Sequence, residues 1–231
     1  MPRRKKNDDK KDLLKSSNCR AKKKMKKESC FLRWDLIEAK LGKDDTKHLK
    51  DNSLDMIDLC DQGISAELVE HLAKVLKSNS SLKEIYLSNN CHIGDKGWKY
   101  LAEALKVNNS LEKIELNDFG ITTEGAKYLV EVLKVNTSLK YILLRCNDLG
   151  DEGMKHLKEG LKVNRSVEEI QLDNNEIGEE GIKHLAEGLT GNTVLKKLTL
   201  EDNDIGEGGE LLNEVYDLNF TYNCSKTVRL L

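Results

Sequence analysis

Three histidines, His71, His156 and His184, and the adjacent pair Cys91–His92 would matter most if this chain held a metal. Imidazoles and thiolates bind zinc when three or four of them converge, and two ligands at adjacent positions do not make a tetrahedral site. The six cysteines are scattered, with no C-x-x-C pair. His156 and His184 lie 28 residues apart, in a column that also holds Tyr100 and Tyr128. Such a column fits a half-exposed helix surface better than a ligand set. No phosphate-cradling P-loop, no G-x-S-x-G and no H-E-x-x-H occurs. Carboxylates are abundant, yet none stands at a spacing from His, Lys or Tyr that argues acid–base catalysis. Glu179, Glu180 and Glu207 fall near expected helix starts, where negative charge suits the helix dipole. The residues therefore predict no enzyme, no cofactor and no metal. Asn79, Asn108, Asn136 and Asn164 each open an N-x-Ser sequon, but their recurrence is a property of a repeat.

That repeat is the dominant feature of the chain. Segments beginning at Leu82, Leu111, Leu139, Val167 and Leu195 are 29, 28, 28 and 28 residues apart, and a weaker copy begins at Leu54. Gly97, Gly125, Gly153, Gly181 and Gly209 recur in phase, as do Asn79, Asn108, Asn136, Asn164 and Asn192. The first half of each unit reads L-x-x-I-x-L, as in Leu111, Ile114 and Leu116, which suits a short strand. In the second half Gly125 is followed by Leu129 and Leu133 on one face of a helix. Asp95, Thr123 and Asp151 occupy one position just before that helix, where a short oxygen-bearing side chain is expected to cap its N–H groups. A lone strand and helix cannot bury their apolar faces, so the units must stack. The expected fold is α/β: a curved solenoid with parallel strands on the concave face and helices on the convex face.

The pattern L-x-x-L-x-L-x-x-N-x-L with a glycine-led helix resembles leucine-rich repeats of the ribonuclease-inhibitor type. These also occur in nucleotide-binding innate sensors, Ran GTPase-activating proteins and the tropomodulin C-terminal region. The resemblance implies that Asn90 (or Cys91), Asn147, Asn175 and Asn203 point inward and satisfy backbone groups where the chain leaves each strand. Gln62 and Phe119 depart from it, and the first repeat has Leu68 in place of the glycine. The resemblance implies a protein partner; a small Ran-like GTPase, activated by this chain, is the alternative, as is a truncated paralogue of an innate sensor. Against the Ran activators, the chain has about half the repeats and no long acidic tail.

Alternation along each strand sends every second residue outward. The first outward column is expected to read Met56, Glu84, Lys113, Tyr141, Glu169, Lys197. The second reads Asp58, Tyr86, Glu115, Leu143, Gln171, Thr199, and the third Cys60, Ser88, Asn117, Arg145, Asp173, Glu201. Most of these are polar. Tyr86, Tyr141, Leu143 and Arg145 stand out, because Tyr and Arg are favoured in interface cores. They are the candidate protein-binding residues, set against the plain fact that single exposed apolar residues are ordinary. Tyr141 and Arg145 are expected to lie outside the core, so that truncating them leaves stability nearly unchanged.

The chain has 231 residues, 34% of them charged, with one Pro and three Phe. Its net charge of −2 conceals a division. Residues 1–28 carry 13 Lys/Arg and four acids, a net of +9, while 29–231 carry 25 bases and 36 acids, a net of −11. The arm 1–28 cannot bury enough apolar surface to order itself. Arg3 to Lys6 and the run Arg20, Lys22, Lys23, Lys24, Lys26 and Lys27 suit nuclear import, or contact with nucleic acid or anionic lipid, as well as a solubilising tail. No aromatic interleaving supports nucleic acid. Residues 29–53 suggest a helical cap, 54–218 the solenoid of about six repeats, and 219–231 a C-terminal cap or incomplete repeat. No apolar run approaches the ~20 residues of a membrane span, and the basic start lacks the apolar stretch of a secretory signal. The expected location is cytoplasmic or nuclear, with reduced thiols.

Overall fold

The computed structural model describes residues 54–206 and 208–215. The basic arm with its import candidates, the expected N-terminal cap and the expected C-terminal cap lie outside the described residues. Within them, strands of three residues alternate with helices. In chain order they are β1 (Met56–Asp58), α1 (Ala66–Leu76), β2 (Glu84–Tyr86), α2 (Gly94–Leu105), β3 (Lys113–Glu115) and α3 (Thr123–Val135). They continue with β4 (Tyr141–Leu143), α4 (Gly150–Leu161), β5 (Glu169–Gln171), α5 (Glu179–Leu189), β6 (Lys197–Thr199) and α6 (Gly208–Val215).

The strands form one parallel sheet ordered β1 to β6, and each helix packs on the next. Ile85, Ile114, Ile142, Ile170 and Leu198 stand side by side in register and are buried against the helices. Leu101, Leu105, Leu129, Leu133, Leu157 and Leu161 meet them from the helix side. Neighbouring helices need about 10 Å and neighbouring strands only about 4.8 Å, so the strand side lies on the inside of the curve.

Buried asparagines join the repeats. Asn147 Nδ2 donates to Leu144 O at 2.9 Å and Arg145 O at 3.2 Å in its own turn, and to Leu116 O at 2.9 Å in the preceding repeat. Its Oδ1 accepts from Phe119 N at 3.3 Å and Ile121 N at 2.9 Å. Asn90, rather than Cys91, does the same one end up, and Asn203 repeats it at the other. Asn175 bonds Leu144 O. Phe119 cannot, and it is fully buried. The Ile93 N–H that an asparagine there would take goes instead to Asn90 O, and Gly94 N donates to Phe119 O, both at 3.0 Å. Gly94 achieves this with φ +61°, a left-handed conformation that favours glycine.

A second asparagine row closes the helix ends. Asn108 Nδ2 bonds Leu76 O and Asn79 O, Asn136 bonds Leu105 O, Asn164 bonds Leu133 O and Asn192 bonds Leu161 O. These residues are buried. The amide nitrogens of the sequons at Asn108, Asn136 and Asn164 are thus committed to backbone carbonyls.

The expected helix caps prove to act across repeats. Asp151 Oδ1 accepts from Gly178 N at 2.6 Å and Gly181 N at 3.0 Å, so it caps α5 and not its own α4. Asp95 likewise accepts from Thr122 N at 2.9 Å. Thr123 Oγ1 donates to Leu149 O in the next repeat, and the N-cap of α3 is Thr122. At Gly125 and Gly181 the repeated glycine follows from the same contact. A Cβ on Gly181 would fall 2.5 Å from Asp151 Oδ1 and 2.8 Å from Ile177 Cγ2.

Replacing Asn147 with Ala strands buried carbonyls and N–H groups in two repeats. Denaturant unfolding should show a loss of about 2–4 kcal/mol, since each unsatisfied buried group costs about 1–3 kcal/mol. A loss below about 0.5 kcal/mol, the size of an ordinary surface change, would contradict this role.

Candidate functional site on the concave sheet

The sheet pairing places Met56, Glu84, Lys113, Tyr141, Glu169 and Lys197 in one outward column and Asp58, Tyr86, Glu115, Leu143, Gln171 and Thr199 in the next. Backbone bonds from Asn89 N to Asn117 O, Asp118 N to Arg145 O and Asn174 N to Glu201 O carry the register on through the third column.

Of the four candidate residues, the structure brings three together. Tyr141, Leu143 and Arg145 alternate outward from β4, with Tyr141 exposed (37%) and Leu143 half-buried. Tyr86 stands two strands away, with Lys113 and Glu115 of β3 between. It is engaged rather than open. Its hydroxyl donates to Glu84, Lys113 Nζ reaches that hydroxyl at 3.1 Å, and the ammonium lies 4.7 Å from the ring centroid. The bond to Glu84 favours the neutral phenol and raises the Tyr86 pKa. Burial works against the Lys113 ammonium, but the Tyr86 hydroxyl and the carboxylates of Glu84 and Glu115 hold its pKa above the usual value.

Arg145 is not merely a surface group. Its Nε lies 3.0 Å from Asp173 Oδ2, and the Asp173 side chain is only 7% exposed. Thr199 Oγ1 and Glu201 N complete that carboxylate at 2.8 and 2.7 Å. This pairing argues against the expectation that Arg145 can be cut without touching stability, because its removal takes the cation from a buried acid. Beside it, Lys197 bonds Glu169 at 2.8 Å and Gln171 bonds it at 2.6 Å. Burial pushes the Glu169 carboxyl up, and these bonds outweigh it and hold it below the usual range. The partners Asp173, Lys113 and Glu84 were not among the sequence candidates. Opposite charges at adjacent places in neighbouring columns were the available signal.

The residues that could have held a metal are dispersed. His92 Nε2 lies 2.7 Å from Ile64 O, and His71 Nδ1 lies 2.9 Å from Glu67 O. His156 and His184 are half-buried on α4 and α5. No group of three His, Cys, Asp or Glu among the described residues suits a metal ion. Glu179 and Glu180 open α5, as the dipole favours. No helix among the described residues is long and apolar enough to cross a membrane. Cys60 sits at the end of the third column, where burial and the Asp58 carboxylate push its thiol up to about 11.

The family model of the TMOD/LMOD leucine-rich domain matches residues 65–201, more than half of the sequence. The chain belongs to that family. A tropomodulin C-terminal domain from Caenorhabditis elegans is similar at 22% identity and a TM-score of 0.54, covering 64% of this chain and 91% of that one. Leiomodin-1 actin-binding site 2 is similar at 17% identity and 0.52, covering 64% and 90%. The yeast Rad7–Elc1 complex contains a chain similar at 17% identity and 0.50, covering 70% of this chain and 39% of that one. No curated protein matches the sequence. At these identities the solved structures establish the leucine-rich-repeat fold. The family match gives no support to the Ran-activator or innate-sensor alternatives.

Two outcomes follow from the geometry. Arg145→Ala should lower stability by about 1 kcal/mol, a partly exposed ion pair whose acid is buried, and Tyr141→Ala by less. Equal and negligible losses in thermal unfolding would place Asp173 at no disadvantage without its cation. In thiol labelling of the native chain near neutral pH, read by peptide mass spectrometry, exposed Cys146 should react well before Cys60, because the thiolate is the nucleophile. Faster labelling at Cys60 would mean that β1 opens.

Proposed function

We propose that this chain is a non-catalytic scaffold that binds a partner protein on its concave sheet, with Tyr141, Leu143 and Arg145 at the centre of the contact and Tyr86 at its margin. The partner we put first is actin. The observation that carries the proposal is the family match over 65–201, since leiomodin-1 uses a domain of this fold as an actin-binding site. The strand-to-strand register of 28 residues supports ribonuclease-inhibitor-type repeats, which place an open sheet on the inner face.

The chemistry of the face agrees with binding. Tyr and Arg contribute large, rigid contact area and several donors at modest cost in ordering. Here Arg145 is already oriented by Asp173, and Tyr141 by a strand bonded on both sides. The side chains of the convex helices are instead held in local pairs such as Lys155–Glu152 and Lys127–Glu124. The exposed apolar residues on that side, Val107, Val135 and Val163, lie one per repeat at the C-terminal ends of the helices and include no aromatic ring.

Co-sedimentation with actin filaments and fluorescence titration with actin monomer test the reading. The full chain should bind, Tyr141→Ala and Arg145→Ala should each weaken binding by about 2 kcal/mol, roughly thirtyfold, and Lys155→Ala should leave it unchanged. No binding to either form of actin would remove actin as the partner. Loss on Lys155→Ala with normal binding by the two strand variants would move the contact to the helices.

A further inference from the structure

The strand β4 differs from its five neighbours in one respect. Its outward residues Tyr141, Leu143 and Arg145 include no carboxylate, whereas each other strand carries at least one in the three columns. Across those columns six carboxylates stand against three bases. All three bases are engaged: Lys113 on Tyr86, Arg145 on Asp173 and Lys197 on Glu169. Glu115, one strand from Leu143, accepts from Ser88 Oγ at 2.9 Å and Asn117 Nδ2 at 3.1 Å. Both donors are neutral, and Glu115 forms no ion pair among the described residues. The sheet thus presents an apolar strip, Tyr141 and Leu143, beside a half-buried, oriented carboxylate that is in no ion pair, since the Lys113 ammonium of its own strand attracts it only at a distance and is turned to Tyr86.

We propose, resting on the concave-sheet reading above, that the segment received by this sheet is cationic. It lays one apolar side chain against Tyr141 and Leu143 and directs a Lys or Arg to Glu115. Charge complementarity selects this occupant. A carboxylate already fixed by two donors loses little freedom when it meets a cation, and a charge-assisted bond there is stronger than a neutral one. An acidic or phosphorylated segment would face an excess of negative charge with no unengaged base to meet it, and like charges brought together suppress a wrong partner. The spacing is suitable. Strands are about 4.8 Å apart and alternate side chains of an extended chain about 6.6 Å apart, so neighbouring outward positions of one peptide reach β4 and β3 together.

Selection of random peptides displayed on phage against the immobilised full chain tests this without assuming any natural partner. Enriched sequences should pair an apolar residue with a nearby Lys or Arg. Their synthetic copies should bind about tenfold or more weakly to Tyr141→Ala, a loss typical of an interface anchor. Glu115→Lys should cost about as much, Glu115→Gln less, and affinity should fall steeply with salt. Circular dichroism checks that each variant remains folded. Enrichment of acidic or uncharged peptides, no enrichment at all, or binding indifferent to Glu115→Lys would overturn the proposal. If actin binds the chain while the selected peptides fail these criteria, the scaffold function stands and the cationic occupant falls. If cationic peptides bind through Tyr141 and Glu115 while actin does not, the reverse holds.

Discussion

A side-chain amide that must find partners in two repeats at once is the constraint on which this structure depends. Each three-residue strand is too short to hold a sheet by itself, and each turn leaving it would bury unpaired carbonyls and N–H groups. Asn90, Asn147 and Asn203 resolve both problems, because one amide carries two donors and an acceptor with two lone pairs. The second asparagine row does for the helix ends what the first does for the strand exits. The repeat period is therefore set by hydrogen bonding as much as by leucine packing. At Phe119, where the asparagine is missing, the turn is the one also found at Asn175: a left-handed glycine, Gly94 or Gly150, donates to the residue's carbonyl, and the strands stay in register.

That register turns the outer face of the sheet into a grid. Residues 28 or 29 apart become neighbours, so ion pairs form across the chain: Lys140 and Lys83 on Glu112, Lys196 on Glu168, Lys197 on Glu169, Arg145 on Asp173. Most of these are exposed and contribute little to stability. Their effect is on composition of the surface, since they neutralise part of its charge locally, Asp173 and Glu169 among the outward columns. What the grid leaves over is informative: one strand without a carboxylate, and beside it Glu115, which like Asp58, Glu84 and Glu201 is in no ion pair among the described residues.

Much of the fold was legible in the sequence because the period writes the same environment six times. Asn147, Asn175 and Asn203 could be placed by counting, and so could the three outward columns. Features that join different repeats were harder to see. Asp95 and Asp151 looked like caps for their own helices, and a short acid before a helix usually is one. Only the packing of α4 against α5 shows that Asp151 reaches the next helix, and that Gly181 is small for the same reason. Arg145 is legible as an outward candidate beside Tyr141 and Leu143, but not as half of an ion pair, because its partner lies 28 positions away. The grouping of candidates was half visible: Tyr141, Leu143 and Arg145 share a strand, while the engagement of Tyr86 by Glu84 and Lys113 depends on side-chain directions that spacing does not specify.

The central functional idea is that recognition belongs to β4 and not to the helices behind it. Hydroxyl-radical footprinting of the chain with and without actin reads this at the level of side chains. Tyr141 and Leu143 should lose reactivity in the complex, while Tyr128 and His156 on the helices keep theirs. Protection of Tyr128 and His156 with full reactivity at Tyr141 and Leu143 would contradict a concave contact.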